Sequence, residues 1–234
     1  MKSPIKLNHC NICNSSTFSP GPQGRIGLNG SLPHCMQCGA LERHRAVRSL
    51  FDHFSPDYLN WRNGLQISQD PALDPNTFKS YEISIFENDG IDLRSIDRQD
   101  SMYDFITLSH VIESIDDDIQ SMHELIRVST DHGLIHLVLA DPLSLEKSVD
   151  YDAAIGPYEY HHRYGRDFAQ KFELDKAHCK LTLVNSLDVI TGTFTPSHFI
   201  TKSEDSYLEL HKQLSNIEAI NGVERDSAQF HFLL

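Results

Sequence analysis

Apolar and polar positions alternate most informatively between Tyr103 and Pro142, where the chain reads YDFITLSHVIESIDDDIQSMHELIRVSTDHGLIHLVLADP. Phe105 to Leu108 is a short, β-rich apolar run, as expected of a strand buried on both faces of a parallel sheet. It stops at Ser109-His110. Asp116, Asp117 and Asp118 open a segment whose apolar positions Ile119, Met122, Leu125, Ile126 and Val128 follow helical spacing, with acids at the positive helix N-terminus. Gly133 is expected to end that helix, and Leu134 to Leu139 reads as the next strand, closed by Asp141-Pro142. In an open α/β sheet ligands sit beyond the carboxyl ends of the strands, so His110, Glu113 and Asp141 are candidates to line one crevice. The three aspartates read more simply as a solvated helix start.

The same pattern continues on both sides. Leu41, Val47, Leu50, Phe51 and Phe54 fall on one side of a helix that Pro56 ends. Its Glu42, Arg43, His44 and Arg45 read as a solvated or interdomain polar face, with steering of an anionic substrate as the other reading. Gly64 to Ser68 and Tyr81 to Phe86 are strand-like, separated by a brief helix-like stretch around Leu73 to Ser80 and followed by a turn at residues 87–90. Phe168 to Leu174 looks helical, Leu181 to Thr191 and His198 to Lys202 look like strands, and Tyr207 to Ile217 makes a last helix. Between Pro142 and Gly165 lies a polar, irregular stretch rich in Tyr, His and Arg, either a wall of a substrate pocket or a surface loop. The expected organisation is a cysteine-bearing module over residues 1–48, a main α/β domain over 49–204, and a C-terminal helix and tail over 205–234.

At 234 residues and 39% hydrophobic, the chain can bury one substantial core. A formal charge of −13 disfavours a nucleic-acid partner, because such sites need clustered Lys and Arg. No apolar run reaches the ~20 residues of a bilayer span and the N-terminus lacks a signal-peptide core, so the expectation is a cytoplasmic protein with no membrane contact.

Four of the five cysteines form two C-x-x-C pairs, Cys10/Cys13 and Cys35/Cys38. Paired turns of this kind suit tetrahedral zinc, and the segment between them is too poor in apolar residues to fold alone, so a metal would supply what a core cannot. A structural zinc site is the favoured reading, with two disulfides as the alternative for an oxidising compartment. His9 and His34 adjoin the ligands. Cys179 reads as a small buried apolar residue.

Three segments resemble class I S-adenosylmethionine-dependent methyltransferases, in particular a bacterial group with an N-terminal four-cysteine zinc-binding module. CMQCGALERHR is similar to that group's C-x-x-C-G-S-L-E-R-H-R segment, YDFITLSHVIESIDDD to its Y/F-D-x-x-x-x-x-H-V-L-E-H-x-x-D block, and HHRYGRDF to its later H-x-R-x-Y-G-x-D segment. The resemblance spans almost the whole chain. It implies a Rossmann-like methyltransferase sheet with helices on both faces, plus a small zinc-ribbon-like module. It also implies that Gln66, Ser68 and Asp70 border the methionine part of S-adenosylmethionine. Glu87 would serve the ribose, Asp92 and Leu93 would flank the adenine, and Ser109 with His110 would face the sulfonium. The sequence departs from the group in three places: QISQDPALDP replaces the glycine-rich first motif, Ser114 stands where a second histidine is usual, and YHHRYG shifts the His and Arg by one place against the later motif.

Methyl transfer is an in-line displacement, so such a protein must chiefly align the acceptor and exclude water. An oxygen or nitrogen acceptor also calls for a base. His110 is the first candidate, with a structural hydrogen bond as its other reading, and His161, His162 and Tyr160 are candidates for holding the acceptor. The expected activity is methyl transfer to a small-molecule or carrier-linked acceptor, with the zinc module open to a protein partner. The alternative, motivated by the missing glycines, is a catalytically degenerate methyltransferase fold kept as a binding or scaffold subunit.

Overall fold

The computed structural model describes residues 9–27, 29–85, 90–140, 144–221 and 230–232, with the backbone alone for 216–221 and 230–232. The cysteine-bearing part contributes a two-stranded antiparallel ribbon, β1 (Phe18–Ser19) with β2 (His34–Cys35). Next come α1 (Glu42–Phe51), α2 (Pro56–Leu59), β3 (Asn63–Ile67), β4 (Ser80–Ser84) and β5 (Tyr103–Ser109). They are followed by α3 (Asp118–Val128), β6 (Ser129–Val138), the hairpin strands β7 (Val149–Ile155) and β8 (Tyr160–Arg163), and α4 (Phe168–Lys171). The chain closes with β9 (Lys180–Asp188), β10 (Thr193–Thr201), α5 (Glu204–Asn221) and β11 (Phe230–Phe232).

The main sheet has the order β11-β9-β10-β6-β5-β3-β4. Strands β4, β3, β5 and β6 are mutually parallel, and β10 runs antiparallel between β6 and β9. From β3 the chain steps outward to the edge at β4, then crosses back over β3 to lay down β5. The direction of winding therefore reverses between β3 and β5, which is where an open α/β sheet forms its ligand crevice. The architecture is Rossmann-like, with an antiparallel hairpin closing one side.

Neighbouring residues of β5 explain its apolar run, because Phe105 packs into one core layer and Ile106 into the other. One layer joins the sheet to α3 and α4 through Met122, Leu125, Val128, Phe168 and Phe172. The other joins it to α1, α2 and α5 through Leu50, Phe51, Tyr58, Leu210 and Leu214. Phe51 carries much of this second layer, with its ring 5.6 Å from Phe105 and 6.0 Å from Phe199. Arg62 is fully buried, and its guanidinium donates to the carbonyls of Tyr58, Asp104 and His132, tying α2 to the lower ends of β5 and β6.

Three local expectations differ. The helix ends at Val128 rather than Gly133, because Ser129 opens β6 opposite Tyr103, and residues 130–133 form a bulge before the ladder resumes at Phe105 and Leu134. The stretch around Leu73 to Ser80 holds only one 3-10 turn, Pro75–Thr77, capped by the Asp74 carboxylate. The region after Pro142 is not irregular, since 149–163 fold into the β7–β8 hairpin.

Candidate active site and metal centre

The two cysteine turns have the same backbone construction. In the first, the Cys10 N–H donates to Ser15 O and the Asn14 N–H to Cys10 O; in the second, the Cys35 N–H donates to Ala40 O and the Gly39 N–H to Cys35 O. Asn14 and Gly39 occupy equivalent places with φ of +62° and +73°, a left-handed conformation that Gly and Asn tolerate best. The turns bring Cys10 Sγ to 3.8 Å from Cys38 Sγ and Cys13 Sγ to 3.5 Å from Cys35 Sγ, with all four sulfurs within 4.8 Å of one another. A tetrahedron with metal–sulfur bonds of about 2.3 Å has edges of roughly 3.8 Å, so the cluster has the dimensions of a four-thiolate site. All five cysteines are free thiols in this structure. Of the two adjoining histidines, His34 is engaged with the Ser19 hydroxyl.

This module is fixed to the sheet by Arg45, which is buried rather than solvated. Its Nε and Nη2 donate to the two carboxylate oxygens of Asp188 at 3.0 and 2.7 Å, and Nη1 donates to Pro33 O and Ala40 O beside the second cysteine turn. Glu42 and His44 are buried as well, so the polar start of α1 is an internal seam.

At the reversal between β3 and β5 lies a crevice of about 450 Å³, within the size range of small-molecule and cofactor sites. Ile67, Ile91, Leu93, Val111 and Ile115 give it apolar walls; Ser68, Asp92, Arg94, His110, Asp116 and His161 give it polar groups. Both strand ends turn into it through a left-handed residue that is not glycine. Ser68 has φ +68° and donates its N–H to Ser84 O, and His110 has φ +54° and donates its N–H to Val138 O. Such a conformation costs an L-residue roughly 1–2 kcal/mol, and strain of this kind tends to gather at functional sites.

On the β4 side, Arg94 makes a fork onto both carboxylate oxygens of Asp92 and reaches Asp116 through Nη1. Hydrogen bonds from Arg94 hold both carboxyls below the usual aspartate range. On the β5 side, His110 Nδ1 lies 3.9 Å from Glu113 Oε1. Glu113 is buried; its Oε1 accepts the Ala140 N–H, and its Oε2 has no partner among the described residues. Burial pushes the Glu113 carboxyl up to about 7, and burial, with Arg43 and His44 adding, pushes His110 down to about 4. Near neutrality His110 is therefore an uncharged imidazole and Glu113 is poised between its two forms.

The structure thus brings Ser68, Asp92, Leu93, His110 and His161 together. Gln66 sits beneath, donating to Ser68 O and accepting from the Tyr81 hydroxyl, so it braces the turn from behind. Asp70 accepts the Ala72 N–H and lies 3.9 Å from His44, off the crevice wall. Ser109 has its hydroxyl buried without a partner among the described residues. His162 faces inward, its ring nitrogens 2.7 Å from Asp150 and 2.9 Å from Ile115 O, and it does not reach the crevice. Asp118, Asp150 and His162 converge, but Lys171 Nζ lies 3.2 Å from Asp118 and 2.7 Å from Asp150, so an ammonium already fills the place of a cation. Glu87 and Asp141 lie outside the described residues. Arg94, which sequence reasoning passed over, is signalled only by its spacing two residues after Asp92.

No protein-family model matches the sequence, and no curated protein matches it. Solved structures do show likenesses. An S-adenosylmethionine-dependent methyltransferase of Aquifex aeolicus is 13% identical, with a TM-score of 0.40 over 65% of this chain and 92% of that one. The 1,6-didemethyltoxoflavin-N1-methyltransferase of Burkholderia thailandensis, solved with its substrate and S-adenosylhomocysteine, is 8% identical, with a TM-score of 0.46 over 68% of this chain and 79% of its own. A possible histamine N-methyltransferase of Thermotoga maritima is 12% identical, with a TM-score of 0.41 over 68% of this chain and 89% of that one. At such identities and scores these likenesses concern the fold at most, and the functional reading rests on the crevice itself.

Proposed function

We propose that this chain is an S-adenosylmethionine-dependent methyltransferase acting on a small-molecule or carrier-linked acceptor, with a structural zinc ion held by Cys10, Cys13, Cys35 and Cys38. One observation carries the reading. Three segments that resemble methyltransferase motifs are far apart in sequence, yet two of them meet at one crevice, which His110 and His161 line, and the third brings Arg43 close enough for its charge to act on His110. The crevice also stands at the reversal of the strand order, where such a cofactor belongs.

The residues present fit the cofactor in size and chemistry. Leu93, Ile91 and Ile115 offer an apolar slot for a flat base, Asp92 offers a carboxylate for hydroxyl or amino groups, and the turn at Ser68 presents backbone to the amino-acid end. When bound, S-adenosylmethionine supplies an activated methyl group on a sulfonium. The protein's share is alignment, water exclusion and proton handling. The uncharged His110 can accept a hydrogen bond from an acceptor O–H or N–H and so orient its lone pair. As a base it is weak, because its affinity for a proton has been lowered by burial. Glu113, held near 7, is better matched to take that proton at neutral pH, with His110 lying between it and the crevice. His161 also lines the crevice, from the β7–β8 hairpin, which is pinned by Ser114 Oγ donating to Tyr158 O.

A second reading, that of a degenerate scaffold, is favoured by Ser68: a side chain occupies the turn where a glycine would let the backbone approach the ligand. Calorimetric titration with S-adenosylmethionine and S-adenosylhomocysteine separates the two. Saturable binding, weakened by Asp92→Ala and largely spared by His110→Ala, is expected of the enzyme. Absence of binding by folded, zinc-loaded protein refutes it in favour of the scaffold.

A further inference from the structure

Arg43, the second residue of α1, makes no hydrogen bond and no ion pair among the described residues, whereas every other described arginine has a partner. Its Nε is buried with nothing to donate to. That isolation is unexpected in a chain with 33 acidic residues against 20 basic ones. The adjacent acid is taken, Glu42 being paired with Arg25, and Asp70 faces His44, the next residue along. Arg43 is only partly buried, so a ligand can reach it.

Arg43 does not itself line the crevice but lies near it. The Arg43 charge acts on His110, which lines the crevice, and on Tyr160, the neighbour of His161 on β8. Across the crevice, Asp92 and Asp116 are already matched by Arg94. Among the described residues, the carboxyl beside His110 is that of Glu113, which is buried and sits 3.9 Å from it. A guanidinium with a desolvated, unpaired donor is suited to the paired oxygens of a carboxylate or phosphate.

We propose that Arg43 binds an anionic group, a carboxylate or a phosphate, carried by the methyl acceptor. The acceptor is then an acid whose charged end docks at Arg43 while its reacting atom lies at His110. This rests on the methyltransferase reading above and narrows its substrate class.

The test is calorimetric titration of the zinc-loaded protein with inorganic phosphate and, separately, with malonate, each with and without saturating S-adenosylhomocysteine. Wild type, Arg43→Gln and Arg43→Lys are compared. Binding of at least one anion is expected, weakened about tenfold or more in Arg43→Gln and retained within about threefold in Arg43→Lys, with S-adenosylhomocysteine affinity equal in all three. Which anion binds decides between phosphate and carboxylate. If neither binds, or if Arg43→Gln binds as wild type does, the proposal is overturned. Failure of S-adenosylhomocysteine to bind counts against the methyltransferase reading alone, because the anion arms without it still decide Arg43.

Discussion

Replacing Asp188 by Asn should destabilise the protein by about 3 kcal/mol, at the lower end of the roughly 3–5 kcal/mol typical of breaking a buried ion pair. The side chains of Arg45 and Asp188 are 1% and 2% exposed, so the guanidinium cannot recover solvation by a small movement. Its Nη1 bonds to Pro33 O and Ala40 O hold it further in place. The lower end is chosen because Asn keeps the volume and one acceptor oxygen for the Thr191 N–H and hydroxyl, both of which now bond Asp188 Oδ2. For a chain of this size the loss corresponds to a fall in Tm of about 6–12 °C. Urea unfolding followed by circular dichroism, with metal content checked before each run, gives the free energy. The double variant Arg45→Met/Asp188→Leu removes both charges and should be less destabilised than Asp188→Asn, since apolar replacement of a whole buried pair is often neutral or better. An Asp188→Asn protein within about 1 kcal/mol of wild type would refute the reasoning, because that is what a solvent-exposed pair yields.

Three other outcomes are expected. His136 and His198 are held down to about 3 and His44 and His110 to about 4, all chiefly by burial, so the folded state keeps them neutral while the unfolded chain protonates them below about 6.5. Their contribution is present above that pH and lost on acidification. The raised Glu113 acts oppositely, its contribution full below its unfolded value of about 4.5 and lost as pH rises through about 7. Four groups against one give a net loss, with His136 and His198 alone accounting for up to about 3 kcal/mol between pH 7 and 5.5; an unchanged urea midpoint over that range would contradict it. Ser68→Gly should raise stability by about 0.5–1 kcal/mol by relieving the left-handed turn, less the added freedom of the unfolded chain, and a lowered Tm would show the turn is not strained. Chelation should release one zinc per chain and expose the amides of Cys10, Asn14, Cys35 and Gly39 to hydrogen exchange while the central strands stay protected; equal protection with and without metal would mean the thiol cluster folds unaided.

What the sequence made legible was local. The run at β5, the helical spacing of α3 and the two cysteine turns each carry their signal within a few residues, and each stands where its periodicity placed it. What it concealed depends on partners distant in sequence. Ser129 to Gly133 are polar and read as the end of a helix, yet they belong to β6 because Tyr103 pairs with Ser129 and the ladder resumes at Leu134, with a bulge between. The hairpin at 149–163 has largely exposed side chains on β7, so no apolar alternation announces it. Arg45 could be read as solvated or as interdomain charge, and it is interior because a carboxylate 143 positions away meets it. At the crevice, His110 was visible from its place at a strand end, but Arg94 matters only because it bridges Asp92 and Asp116, and the stance of His162 is set by Asp150 and Ile115.

That contact has a bearing on how the chain matures during synthesis. The cysteine turns need only residues up to Ala40 to complete their hydrogen bonds, so they can form early on a nascent chain. The anchor for Arg45 is made 143 residues later, which at about 5–20 residues per second is a delay of roughly 7–29 s. Throughout that interval the completed cysteine turns are tethered to a guanidinium with no buried carboxylate to meet. Vectorial synthesis therefore leaves the N-terminal module undocked until the β9–β10 hairpin emerges, and it is in this window that a nascent-chain chaperone or a competing acidic surface would find Arg45 still accessible.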